Sequence, residues 1–135
     1  MTPLDDLVFH HIGIACERIE DDVRPYELLG YRREGEIFED SRQAIRGLFM
    51  RAGAIQIELI EPLGPESPVN TFLSRGIQMY HQAFLSHNLR EAVRVLIDKG
   101  AVIVSHPKPA IAFGGRQVCF LLLPNRLLIE LIATI

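Results

Sequence analysis

This chain repeats itself. The stretch "FHHIGIA" (residues 9–15) aligns with "MYHQAFL" (79–85), which sets His11 on His81. The stretch "IQIELI" (55–60) aligns with "LLIELI" (127–132), which sets Glu58 on Glu130. The spacing from His11 to Glu58 and from His81 to Glu130 agrees to within two residues. Each histidine segment leads into a helix-like segment closed by glycine, "ERIEDDVRPYELLG" and "NLREAVRVLIDKG", then into strand-like segments, the last of which bears the glutamate. Internal repetition of this kind predicts two copies of one supersecondary unit. Each copy reads strand, helix, strand, strand, strand. The expected boundaries are residues 7–61 for the first module, 62–77 for a linker and 78–133 for the second, all within one α+β domain of 135 residues.

The second helix carries the clearer signals. Asn88 suits an N-cap, with Glu91 three residues on as in a capping box. Leu89, Val93, Leu96 and Ile97 form an apolar stripe, and Gly100 suits the position just past the helix end. The first helix contains Pro25, which removes a backbone donor and crowds the preceding turn. That predicts a kink, or a helix that starts near Arg24. The linker "EPLGPESPVNTFLSRG" is rich in Pro and Gly and predicts one short helical turn around Val69 to Leu73.

Side chains two apart on a strand share a face. His11 therefore shares its face with Gly13 and His81 with Ala83, and each small neighbour leaves room beside an imidazole. Glu58 lies with Gln56 and Ile60, and Glu130 with Leu128 and Ile132. A carboxylate among such apolar side chains is costly unless it is paired or bound to a cation. Two carboxylates in register with two histidines point to one divalent metal ion. The mixed nitrogen and oxygen set suits cobalt, nickel, manganese, zinc or iron. The other histidines read differently: His10 points to the opposite strand face, and His87 and His106 fall in apparent loops. Glu61, beside Pro62, reads as a solvated strand end. Cys16 and Cys119 have no metal or redox spacing and read as small core residues.

Hydrophobic residues make up 48% of the chain, charged residues 23%, and the formal net charge is -3. This balance offers no basic surface for nucleic acid or an anionic membrane. No apolar run reaches the length of a spanning helix, and "MTPLDDLVF" does not read as a signal peptide. The expected setting is cytoplasmic. No GxGxxG or phosphate-loop pattern is present.

The segments "HHIGIA", "IELIEPLGPESPVNTFL", "YHQAF" and "GGRQVCFLLLPNRLLIEL" together resemble methylmalonyl-CoA epimerases. Those enzymes belong to the vicinal oxygen chelate superfamily, with glyoxalase I, extradiol dioxygenases and bleomycin-resistance proteins. The resemblance runs in order over nearly the whole chain. It implies two tandem βαβββ modules whose curled mixed sheets form a half-barrel cleft. It also implies metal ligation by His11, Glu58, His81 and Glu130, and an α-proton abstracted beside a chelated carbonyl with Glu130 as a catalytic group. The substrate it implies is a small molecule of the acyl-CoA thioester type, and the assembly a homodimer. The family's opposing acid aligns with Arg46 or Gly47, neither of which shuttles protons. The candidate substitutes are Glu36, Glu39 or Asp40, in an apparent loop before that strand, or a metal-bound water; a different reaction is the remaining alternative. In "PKPAIAFGGRQV", Gly114 and Gly115 read as turn residues, and Lys108 and Arg116 are candidate contacts for substrate anions. Two alternatives stay open: a glyoxalase-I-type lyase, which shares the ligand set, and a non-catalytic small-molecule-binding protein, which the missing second acid favours and the four retained ligands oppose.

Overall fold

The computed structural model describes residues 4–134. These residues contain eight strands and three α-helices in the order the repeat predicts: β1 (Val8–Ala15), α1 (Ile19–Leu28), β2 (Arg32–Asp40), β3 (Ile45–Ala52), β4 (Ile55–Pro62), α2 (Val69–Ser74), β5 (Met79–Ser86), α3 (Leu89–Asp98), β6 (Val102–Pro109), β7 (Gln117–Leu122) and β8 (Leu128–Ala133). The fold is mixed α+β, and both βαβββ modules are present. The chain divides into two compact units. One is His11–Tyr80; the other joins the described residues up to His10 with those from His81 onward.

In the unit His11–Tyr80 the strands lie in the order β2, β3, β4, β1. β1 runs parallel to β4, with Gly13 opposite Glu58, and β3 runs antiparallel to β4, with Phe49 opposite Glu58. One sheet face packs on α1 through Ile14, Leu48, Met50, Ile57 and Leu59 against Ile19 and Val23. The other face carries His11, Phe49 and Glu58, and Ala15 and Ile60 at its end pack on Val69 of α2. This alternation follows from the two-residue period of a strand.

Helix α1 begins at Ile19 and runs through Pro25, rather than starting near Arg24. Its first turn is held by a distant group: the Glu61 carboxylate accepts the Ile19 backbone N–H at 3.0 Å. Glu61 is thus a helix cap, not a solvated strand end. An anion at a helix N-terminus is favoured by the unpaired N–H groups there and by the macrodipole. Burial of Ile19 and Val23 anchors the same turn. Together these contacts offset the backbone bond that Pro25 removes.

The strand the repeat predicts after α1 is β2, and it extends through Glu36, Glu39 and Asp40, which the sequence places in a loop. Its sequence "RREGEIFED" is heavily charged, yet β2 has a strand neighbour on one side only, where charged side chains are well tolerated. A bulge between Glu34 and Phe38 interrupts its pairing with β3.

The second unit repeats the plan in the order β5, β8, β7, β6. β5 runs parallel to β8 with Ala83 opposite Glu130, and Phe120 of β7 also lies opposite Glu130. Helix α3 packs Leu89, Ala92 and Val93 on Cys119, Leu121, Ile129 and Leu131. Asn88 caps it by accepting the Glu91 backbone N–H at 3.3 Å. The return half of the predicted capping box is diverted, because the Glu91 carboxylate binds Arg94 instead. Gly100 follows α3 with φ of 102°, where a side chain would be strained. His106 lies on β6 and is exposed, not in a loop. Both cysteines are buried and free, and burial raises each thiol pKa, that of Cys119 to about 11. Neither is a ready thiolate.

Candidate metal centre

Each unit buries one histidine–glutamate pair. In His11–Tyr80, His11 Nε2 stands 3.0 Å from Glu58 Oε1, and both side chains are almost wholly out of solvent. In the other unit, His81 Nε2 stands 3.3 Å from Glu130 Oε1, equally buried. The backbone explains why the pairs form. In each parallel strand pair, the residue directly opposite the glutamate is the small one two positions beyond the histidine, Gly13 or Ala83. With almost no side chain there, the carboxylate leans across its neighbouring strand to the imidazole.

A phenylalanine completes each arrangement. Phe49 presents an edge-to-face contact to His11 at 5.5 Å, and Phe120 makes the same contact with His81 at 5.3 Å. Each ring occupies the antiparallel position opposite its glutamate. Such contacts fix a ring's plane at modest energetic gain. The sequence reading did not single out these residues. The signal was present in the repeat, since both "GLF" and "VCF" place a phenylalanine at nearly the same distance before the glutamate.

The donor set fits a divalent ion. Two ligands about 2.1 Å from one ion and at right angles lie about 3 Å apart, which is the separation found within each pair. Each of the four residues offers one imidazole nitrogen or carboxylate oxygen. Buried carboxylates also need a positive partner, and a cation supplies it.

The positions aligned with the family's opposing acid take different roles. Arg46 lies on the helix face of β3 and pairs with Glu61 at 3.2 Å and Glu39 at 3.4 Å. Gly47 lies on the His11 face, covered by Phe38: a Cβ built at Gly47 would overlap the Phe38 ring. The Phe38 ring stacks on Phe49 at 6.0 Å. Gly47→Ala is therefore expected to evict Phe38 and destabilise the protein by about 1–3 kcal/mol, read by urea unfolding. Phe38→Ala in the same chain should recover part of that loss, since the two sites are in contact.

Of the remaining candidates, Asp40 is buried, and its Oδ1 accepts the backbone N–H groups of Arg42 and Gln43, a turn-forming role. Glu36 is exposed within the β2 bulge. Lys108 and Arg116 flank the β6–β7 turn, Lys108 half-buried and Arg116 exposed. Gly114 and Gly115 in that turn both adopt positive φ, 64° and 85°. His10 meets Phe113 edge-to-face at 5.6 Å, and His87 Nδ1 lies 3.2 Å from Thr134 Oγ1.

The chain is 35% identical over 114 residues to the uncharacterized protein YqjC of Bacillus subtilis (strain 168), covering 82% of this chain and 79% of that one. Its fold is similar to that of a hypothetical protein from Bacillus halodurans C-125, with a TM-score of 0.82, 29% identity and 96% of each chain covered. It is also similar to a Streptomyces coelicolor methylmalonyl-CoA epimerase in complex with 2-nitronate-propionyl-CoA, with a TM-score of 0.77, 25% identity and 93% of each chain covered. The profile of the Glyoxalase/Bleomycin resistance protein/Dioxygenase superfamily matches residues 10–120, and the chain belongs to that superfamily.

Proposed function

We propose that this chain is a metal-dependent isomerase that moves the α-proton of a malonyl-type acyl-CoA thioester, as a methylmalonyl-CoA epimerase does. In this reading His11, Glu58, His81 and Glu130 hold one divalent cation, and the chain works as a single domain. The observation that carries the reading is the duplicated, buried histidine–glutamate pair, each built across from a small residue on a parallel strand. The epimerase solved with an acyl-CoA analogue supports the substrate class.

When bound, the cation supplies Lewis acidity to a carbonyl beside the acidic C–H. The protein's own groups do the rest. His11 and His81 keep their ring planes against Phe49 and Phe120, so the ligand nitrogens stay aimed. Phe38 and Phe49 line the His11 face with apolar surface, which holds water away from the reacting carbon. Glu130 takes or returns the α-proton. Lys108 and Arg116 bind the anionic end of the thioester. The protein works in the cytoplasm as a homodimer; no helix among the described residues is long and apolar enough to cross a membrane.

The test is solvent exchange. Purified protein loaded with cobalt and given a malonyl-type thioester in deuterium oxide should lose the α-proton signal in the NMR spectrum. Retention of that signal would remove the epimerase reading. Turnover of a methylglyoxal–glutathione hemithioacetal in its place would assign the glyoxalase alternative, and binding without turnover of either would assign the non-catalytic one.

A further inference from the structure

In the unit His11–Tyr80 one sheet face is filled by α1. The other face is closed at both ends. At one end Ala15 and Ile60 pack on Val69 of α2. At the other, the Glu34 carboxylate accepts from Gln56 Nε2 at 2.6 Å and Arg51 Nε at 2.7 Å. Between these ends lie His11, Glu58 and Phe49, with Phe38 turned in over Gly47.

Phe38 and Phe49 stack at 6.0 Å with their planes 30° apart, and both are only half-buried. Among the described residues, neither ring joins the apolar clusters packed against α1 and α2. Apolar surface left open beside a few convergent polar groups is the composition of a small-molecule site. Phe49 is committed to the His11 ring, which it meets edge-to-face. Phe38 is placed by the backbone: it lies opposite Gly47, and its ring occupies the space into which a side chain at that position would project. Gly47 is one of the two positions aligned with the family's opposing acid. This chain therefore presents a phenyl ring where a charged group would stand.

We infer that Phe38 is a specificity-determining residue of this site: with Phe49 it forms the wall that receives the α-substituent of the thioester, and it limits that substituent to a short alkyl group. The assignment rests on the function proposed above. Glu58 and Phe49 are directly opposite on adjacent strands, and Phe49 stacks on Phe38. A carbon next to a carbonyl held at Glu58 thus faces the two rings. An alkyl group there takes ring surface out of water, whereas a hydroxylated or charged one sheds its hydration with no polar partner on the rings. The ring over Gly47 ends the space, so a longer chain collides with it.

The test compares two malonyl-type thioesters, one with an α-methyl and one with an α-butyl group. Deuterium exchange by NMR gives kcat/KM for cobalt-loaded wild type, Phe38→Ala and Phe38→Leu, and calorimetric titration gives Kd. The wild type is expected to favour the methyl substrate by on the order of 10-fold or more, and Phe38→Ala to raise the butyl-to-methyl ratio of kcat/KM by a similar factor. The ratio of the two Kd values should move the same way. Phe38→Leu should fall between, and its ratio decides the matter if Phe38→Ala does not fold, as read by urea unfolding. A ring needed only for folding would lower activity on both substrates alike and leave the ratio unmoved. Glu39→Gln, exposed and paired with Arg46 on the helix face, should keep the wild-type ratio. A wild type that handles both substrates equally overturns the assignment, and so does a ratio unchanged in the Phe38 variants. A wild type that exchanges the α-proton of neither thioester overturns the proposed function and this assignment with it, so the two failures are distinguishable.

Discussion

Glu130→Gln is expected to reduce α-proton exchange on both epimers by on the order of 10³-fold, since it removes a proton-transfer group and one charged ligand together. The expectation follows from placement. Glu130 is buried on β8 between Phe120 on one neighbouring strand and Ala83 on the other, and its carboxylate reaches His81. No nearby residue on β8 can substitute: along the same face stand Leu128 and Ile132, both buried and apolar. Exchange measured by NMR in deuterium oxide reads the effect directly. A Glu130→Gln protein that exchanged like the wild type would leave Glu130 with no part in the chemistry.

The second large effect concerns stability. A divalent ion held only by the folded protein stabilises it by mass action, by about 2.7 kcal/mol when the free ion is at 100 times its dissociation constant. For a chain of this size that corresponds to a rise in Tm on the order of 10 °C. The same four groups make the metal-free protein costly to fold, since two carboxylates lie buried, each beside a histidine. Chelation with EDTA should therefore lower Tm, and cobalt should restore it. His11→Ala should remove the metal response while leaving the two apolar cores intact, because His11 is absent from both clusters that pack on α1 and α3. A thermal scan with and without the ion checks both points. No metal-dependent change in Tm would contradict the reading.

The repeat made the main elements of the fold legible, because a histidine followed by a small residue, and a glutamate in an apolar strand, recur with nearly the same spacing. The same logic identified the four candidate ligands, and the register shows why the small residues matter: Gly13 and Ala83 lie opposite Glu58 and Glu130. What escaped the sequence depends on contacts between distant residues. The cap that Glu61 gives α1 joins positions 42 residues apart, and nothing local to "ERIEDDVRP" announces it. The end of β2 around Glu36, Glu39 and Asp40 reads as a loop because its charges hide a strand pattern that an outer position with Arg46 alongside makes stable. The ring of Phe38 over Gly47 likewise depends on the β2–β3 register, which the bulge after Glu34 offsets.

Whether both histidine–glutamate pairs serve one ion is read from metal stoichiometry. Wild-type protein saturated with cobalt and freed of excess ion should contain one equivalent per chain by elemental analysis. His11→Ala and His81→Ala, each alone, should reduce that content to near zero, since each removes a ligand of the same ion. Two equivalents in the wild type, or a full equivalent retained in either single variant, would show that the pairs act separately and that no shared ion exists.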